Sequence, residues 1–248
     1  MIINIARKEL KSLFASPMGW IILALLLFVF GYIFFQGVDL YFQEMSGSMR
    51  PEDRHGVTEF VGQKLFGVAS FVMLFAVPLL TMRLISEERR SQTLTFLFSA
   101  PLSLTEIVLG KFLGLMSFLT ILIVFIVLMM VSLNIWADID FGYVLANSLG
   151  IWLLVASFSA LGIYVSSLTK QPIVAGIITF IALFALLILD RSLADTTNVA
   201  MTYLSLMRHF QPFSRGLLDT GDVAYFLLFI ITFLTLTVRR LDADRLRG

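Results

Sequence analysis

Four charged side chains stand in a row at Glu87, Glu88, Arg89 and Arg90, inside the stretch "SEERRSQTLTFLFSAP", in a chain of which only 14% is charged. Residues of these types support three kinds of chemistry. Two neighbouring carboxylates can serve as general acid and base. Together with imidazoles they can hold a metal ion. Bordered by guanidinium groups, they can also form a docking surface for another protein. The choice depends on where the segment lies.

Composition gives the first constraint. The chain has 248 residues, 58% of them apolar, and a mean hydropathy of +0.92, whereas a soluble domain carries about 25% charged residues. This predicts a membrane protein. Cysteine is absent, which excludes disulfides, thiol catalysis and zinc sites of the Cys type. The 24 Phe and 11 Met are the side chains a bilayer and helix packing select. No nucleic-acid partner is expected.

A bilayer core of about 30 Å calls for about 20 apolar residues per helix. Six charge-free runs approach that length: Met18 to Phe35, Leu65 to Met82, Phe112 to Leu133, Asn147 to Leu168, Ile173 to Leu189 and Val223 to Val238. The expectation is an all-α, polytopic membrane protein with six transmembrane helices, forming a single transmembrane domain over residues 1–248. Most Lys and Arg, among them Arg83, Arg89, Arg90, Lys111, Lys170 and Arg239, fall on one side of this arrangement. The positive-inside rule then places both termini in the cytoplasm.

Residues 1–17 read as an interfacial segment. On a 3.6-residue period Ile3, Ala6, Leu10, Leu13 and Phe14 share one face of an amphipathic helix from Ile2 to Ala15, with Asn4, Lys8, Lys11 and Ser12 opposite. The run that follows is too long for a signal peptide and lacks a small-residue cleavage site. Outside, Gln36 to Lys64 reads as a polar surface loop. Residues 190–222 are more apolar, with Tyr203, Leu204, Met207 and Phe210. They fit either an external helix capping the bundle or a re-entrant segment, which is tolerated only where its backbone is buried or lines a cavity.

The charged stretch falls in residues 83–108, a cytoplasmic connection between the second and third spans. Ser86 to Ala100 lacks Gly and Pro and is expected to continue the second helix until Pro101, with Arg83–Glu87 and Glu87–Arg90 as helix-face ion pairs. Ser103-Leu-Thr-Glu106 fits a capping box that opens the next helix. Between them Leu94, Leu97 and Phe98 form an apolar ridge. Such a ridge beside "EERR" suits protein docking; a helix lying flat on the inner leaflet is the other reading.

The run "SEERRSQTLTFLFSAPLSLTEIVLGKFL", Ser86 to Leu113, resembles the cytoplasmic signature of permease subunits of type-2 ABC exporters: an "EER" start, a "GTL" step, a "SAP" turn and a "GK" opening the third span. Gln92 stands where that pattern has glycine. The N-terminal "ARKELKSLFASP" and the six-span plan also fit, and "FQPFSRGLLDTGDVAYF", Phe210 to Phe226, is similar to the gliding-motility (GldF-like) permeases. The resemblance implies a transmembrane exporter subunit in the bacterial inner membrane. Glu87, Glu88, Arg89, Arg90, Leu94, Leu97 and Phe98 would then couple it to a cytoplasmic ABC ATPase present in two copies. It also implies a second permease subunit, identical or related, and an accessory periplasmic or membrane protein. ATP and Mg would sit on the ATPase, with no cofactor or metal on this chain.

The residues themselves agree in part. The six spans contain no Asp, Glu, Lys, Arg or His, although ion-coupled transporters place such groups inside. A G-x-x-x-x-G-K-[ST] phosphate loop is also absent, so energy must come from another chain. The small residues of Gly110 and Gly114, and of Ala156 to Gly162, permit close helix packing within one subunit or between two. A non-transporting scaffold that docks an ATPase is the alternative. The paired glutamates also resemble those of glutamate-type intramembrane proteases, but Gln92 or Thr93 stands where arginine is needed, and His55 and His209 fall on external loops.

Overall fold

The computed structural model describes residues 1–46, 56–93, 103–193 and 205–245. Among these the chain is helical, without a strand. In order, the helices are α1 (Ile2–Ala15), α2 (Pro17–Ser46), α3 (Val57–Thr81), α4 (Ser86–Arg90) and α5 (Leu104–Ser132), then α6 (Phe141–Leu168), α7 (Pro172–Leu193), α8 (Leu206–Ser214) and α9 (Thr220–Arg245). Five stretches are long and apolar enough to cross a membrane: Pro17–Gln43, Val57–Arg90, Leu104–Ile135, Phe141–Leu168 and Thr220–Arg245. The apolar part of α7, Pro172–Ile188, is shorter. At about 1.5 Å per residue it covers about 25 Å of a core about 30 Å thick.

The bundle is organised around α6, which packs against α3, α9, α5, α7 and α8. Its small residues explain why. Ala156, Ser157, Ser159, Ala160 and Gly162 are all buried, and a Cβ on Gly162 would collide with the side chain of Thr81 on α3. That stretch serves packing inside one chain. By contrast α2 exposes Trp20, Ile21, Leu25, Phe28 and Tyr32, apolar side chains suited to lipid contact.

The helices depart from the expected boundaries in three places. First, Gln36 to Lys64 is not one surface loop: α2 runs on to Ser46 and α3 starts at Val57. The two helices hold each other there, with the Tyr41 and Phe60 rings 5.9 Å apart and Gly37 leaving only ordinary contact room against Val61. Second, the helix of the second span stops at Thr81, one turn beyond Pro78. Third, within α1 the residue Ile3 is 79% exposed, at the edge of the apolar stripe, whereas Ile5 and Glu9 turn inward.

At one end of the bundle α1 lies across the start of α5. The contact is set by glycine: a Cβ on Gly110 would lie 2.6 Å from Ile5 Cβ, and one on Gly114 would lie 2.8 Å from the carbonyl oxygen of Ala6. This G-x-x-x-G therefore seats α1. Phe14 extends the seam by packing on Phe118, centroids 5.2 Å apart.

At the other end, two acidic residues have structural partners. Asp140 caps α6, accepting from the Tyr143 amide at 3.1 Å. Asp222, only 9% exposed, pairs with His209 at 2.6 Å between Oδ1 and Nδ1. His209 is thus on a helix and not on a loop, and its ring stacks on Tyr225 at 3.9 Å. Phe210 is buried in the same helix while Met207 is half-buried; Phe213, packed beside Gly150, completes the seat of α8. Tyr203, Leu204 and His55 lie outside the described residues.

Candidate functional site

The break after Thr81 positions the charged tetrad. A straight continuation of α3 would leave the amides around Ile85 bonded along the helix, but here they turn aside to another helix. Ser166 Oγ on α6 accepts the N–H groups of Ile85 at 3.2 Å and Ser86 at 3.1 Å, and donates to the carbonyl of Met82 at 3.1 Å. Ser86 Oγ donates to the same carbonyl. One buried hydroxyl thereby bonds three backbone groups, two of them amides that the bend would otherwise orphan. The expected single helix from Ser86 to Ala100 is not formed: α4 ends at Arg90, and Ser91–Thr93 form a turn.

That turn needs a left-handed residue. Gln92 has φ +58°, the one non-glycine residue with positive φ among the described residues. A side chain there costs about 1 kcal/mol or more, whereas glycine is indifferent. Gln92, at the position where the resembled signature has glycine, therefore holds this backbone conformation under strain. Leu94, Leu97 and Phe98 lie outside the described residues, as does Pro101. The next helix begins as expected, with Ser103 Oγ accepting from the Glu106 amide at 3.2 Å and Glu106 reaching back to the Ser103 amide at 3.0 Å.

Within α4 the tetrad divides in two. Glu88 and Arg89 are directed at the bundle. Lys111, 3% exposed at its side chain, has its Nζ 2.7 Å from Glu88 Oε1 and 2.7 Å from Glu9 Oε1, so one ammonium ties α4 and α1 to α5. Arg89 pairs with Asp244 near the end of α9, which also faces Arg240 at 3.7 Å. Glu87 and Arg90 are exposed and make no ion pair among the described residues. The expected ion pairs Arg83–Glu87 and Glu87–Arg90 do not form, although the Glu87 amide donates to the Arg83 carbonyl at 3.3 Å and Glu87 and Arg90 share one helix.

Glu87 and Arg90 border a cavity of about 470 Å³ together with Arg83, Ser91, Pro172 and Ile173. Its lining offers cations, a carboxylate and a hydroxyl, and no imidazole. Among the described residues no cluster of His, Asp and Glu fit to hold a metal is found, and His209 is paired on the bundle's opposite end. This arrangement can bind a polar partner surface, and it lacks the parts of a hydrolytic site.

Glu9 and Asp244 were not singled out in the sequence. Glu9 had a usable signal, since it is a carboxylate within the apolar stripe of α1. Asp244 had none, because its partner lies 155 positions away.

The fold defines a class: a multi-pass helical membrane protein, with a cluster of charged side chains at one end of its bundle. The chain belongs to the ABC-2 family transporter proteins, whose family model matches residues 3–244. No curated protein matches it. Members of the family are membrane transport components that generally work with an ABC ATPase and often dimerise; ATP hydrolysis sits on that separate subunit.

Proposed function

We propose that this chain is the transmembrane permease subunit of an ATP-driven exporter in the bacterial inner membrane, and that its ATPase docks on the end that carries α4. On this reading that end is cytoplasmic, α7 supplies a sixth, tilted or locally thinned crossing, and both termini lie inside. Two ATPase subunits carry ATP and Mg, and two permease subunits, identical or related, line the path.

The observation that carries the proposal is the division of the tetrad. A helix that receives force from a partner needs an outer face free to bind and an inner face fixed to what must move. Glu87 and Arg90 supply the first. Glu88 and Arg89 supply the second, through Lys111 to α5 and α1 and through Asp244 to α9. The likeness of Phe210 to Phe226 to the gliding-motility permeases supports an accessory periplasmic or membrane partner on the opposite end, beside α8.

The test is affinity purification from native membranes, with mass spectrometry of the eluate and an ATPase assay. A soluble subunit with a phosphate loop, at matched stoichiometry and turning over ATP, is the expected result. Recovery of the chain alone after crosslinking would count against coupling to an ATPase.

A further inference from the structure

A second cavity, of about 330 Å³, lies between α1 and the bend joining α3 to α4. It is two-toned. Met18, Leu79 and Leu80 line it from the spans, with Leu13 and Leu84 as further apolar lining, while Lys8, Ser12, Arg83 and Glu87 supply the polar lining. The Glu9–Lys111–Glu88 bridge also borders it.

Its charges balance. Lys8, Arg83 and Lys111 stand against Glu9, Glu87 and Glu88. Within that balance Lys111 is already shared by two carboxylates, while Lys8, Arg83 and Glu87 make no ion pair among the described residues. The bridge thus leaves one uncompensated negative charge, and Glu88 Oε2 is buried without a hydrogen-bond partner. Two free cations, the free carboxylate of Glu87 and a net negative bridge, neutral in sum, are complementary to a zwitterion. A purely anionic group would meet the carboxylates, and a purely cationic one the lysine and arginine.

The geometry points to a phospholipid headgroup site here, with a phosphoethanolamine head as its occupant. The phosphate lies between Lys8 and Arg83 within reach of the Ser12 hydroxyl, the primary ammonium faces Glu87 and the bridge, and the acyl chains leave past Met18 and Leu79. Size agrees: at about 30 Å³ per water the cavity holds about ten waters, room for the roughly eight non-hydrogen atoms of that head. The apolar wall on the span side favours a lipid over a soluble amine phosphate, since only a lipid brings hydrocarbon to cover it.

The experiment is native mass spectrometry of the full chain with whatever subunits accompany it. It is titrated with phosphatidylethanolamine, with phosphatidylglycerol of the same acyl chains, and with free phosphoethanolamine. Phosphatidylethanolamine should bind about tenfold tighter than phosphatidylglycerol. The Lys8→Ala, Arg83→Ala double variant should lose most of that binding without a change in melting temperature, because both side chains are exposed. Glu87→Gln should remove the preference for the amine head. Glu87 and Arg83 also border the proposed docking cavity, so their variants are read on lipid binding and preference and not on ATPase association. Equal binding of the two lipids, binding unchanged in the double variant, or free phosphoethanolamine binding as well as the lipid would each overturn the assignment.

Discussion

Lys111 and Glu88, 23 positions apart, are joined by a 2.7 Å ion pair, and the same ammonium reaches Glu9 on the N-terminal helix at 2.7 Å. The lysine that follows Gly110 at the head of α5 is therefore the point where three helices meet. With its side chain 3% exposed, it would be costly to bury alone. The two carboxylates make its burial tolerable.

Replacing Lys111 by Met should leave Glu9 and Glu88 facing each other without a cation. Removing one partner of a buried pair costs about 3–5 kcal/mol, so the variant should unfold at markedly lower temperature in detergent. Adding Glu9→Gln and Glu88→Gln should restore most of the loss, since neutral groups no longer repel. A triple variant as unstable as Lys111→Met alone would show that the loss comes from the ammonium's missing bonds to the two helices and not from repulsion between the carboxylates.

The division of the tetrad predicts separable phenotypes. Reversing the outer pair, Glu87→Lys with Arg90→Glu, should weaken ATPase association while the stability stays within about 0.5 kcal/mol of the unaltered protein, as expected for exposed positions. Glu88→Lys should act the opposite way, placing a second cation beside Lys111 and destabilising the bundle whether or not an ATPase is present. Co-purification measured alongside thermal unfolding distinguishes them. Loss of association in the inner variant only, with the outer variant normal, would reverse the assignment of faces.

Much of the scaffold was legible in the sequence because it rests on local rules. The bounds of α1, the apolar cores of the spans and the Ser103–Glu106 capping box follow from period, hydropathy and a three-residue spacing. The close approach at Gly110 and Gly114 was legible as a possibility, but its partner was not, since a small face does not say what it packs against. Contacts made at long range stayed hidden. The stop of α3 depends on the hydroxyl of Ser166, about eighty positions further on, and no local signal distinguishes that bend from a continuous helix. Likewise "EERR" reads as four equivalent surface charges until Lys111 and Asp244 are seen opposite two of them.

Gln92→Gly should stabilise the protein. The left-handed backbone at φ +58° strains glutamine by about 1 kcal/mol, part of which the greater unfolded-state freedom of glycine offsets. A small rise in unfolding temperature, with ATPase association unchanged, is expected. Gln92→Val, which adds a branched side chain at the same backbone angles, should lower it. Equal effects of the two substitutions would mean that the turn relaxes and imposes no conformational demand.

On the opposite end of the bundle, the His209–Asp222 pair holds α8 to α9 across 13 positions. Asp222 is the carboxylate at the start of α9 and is nearly out of reach of solvent, so His209→Ala strands a buried acceptor at about 1–3 kcal/mol. The prediction is local: α8 should become more accessible to protease and to amide exchange, while the Lys111 bridge and the Ser166 bend at the far end keep their protection. His209→Gln, which can still donate a hydrogen bond but carries no charge, should recover part of the protection. Recovery as complete as in the unaltered protein would show that the pair works as a neutral hydrogen bond, whereas none at all would show that it needs the imidazole ring, through its charge or its stacking on Tyr225.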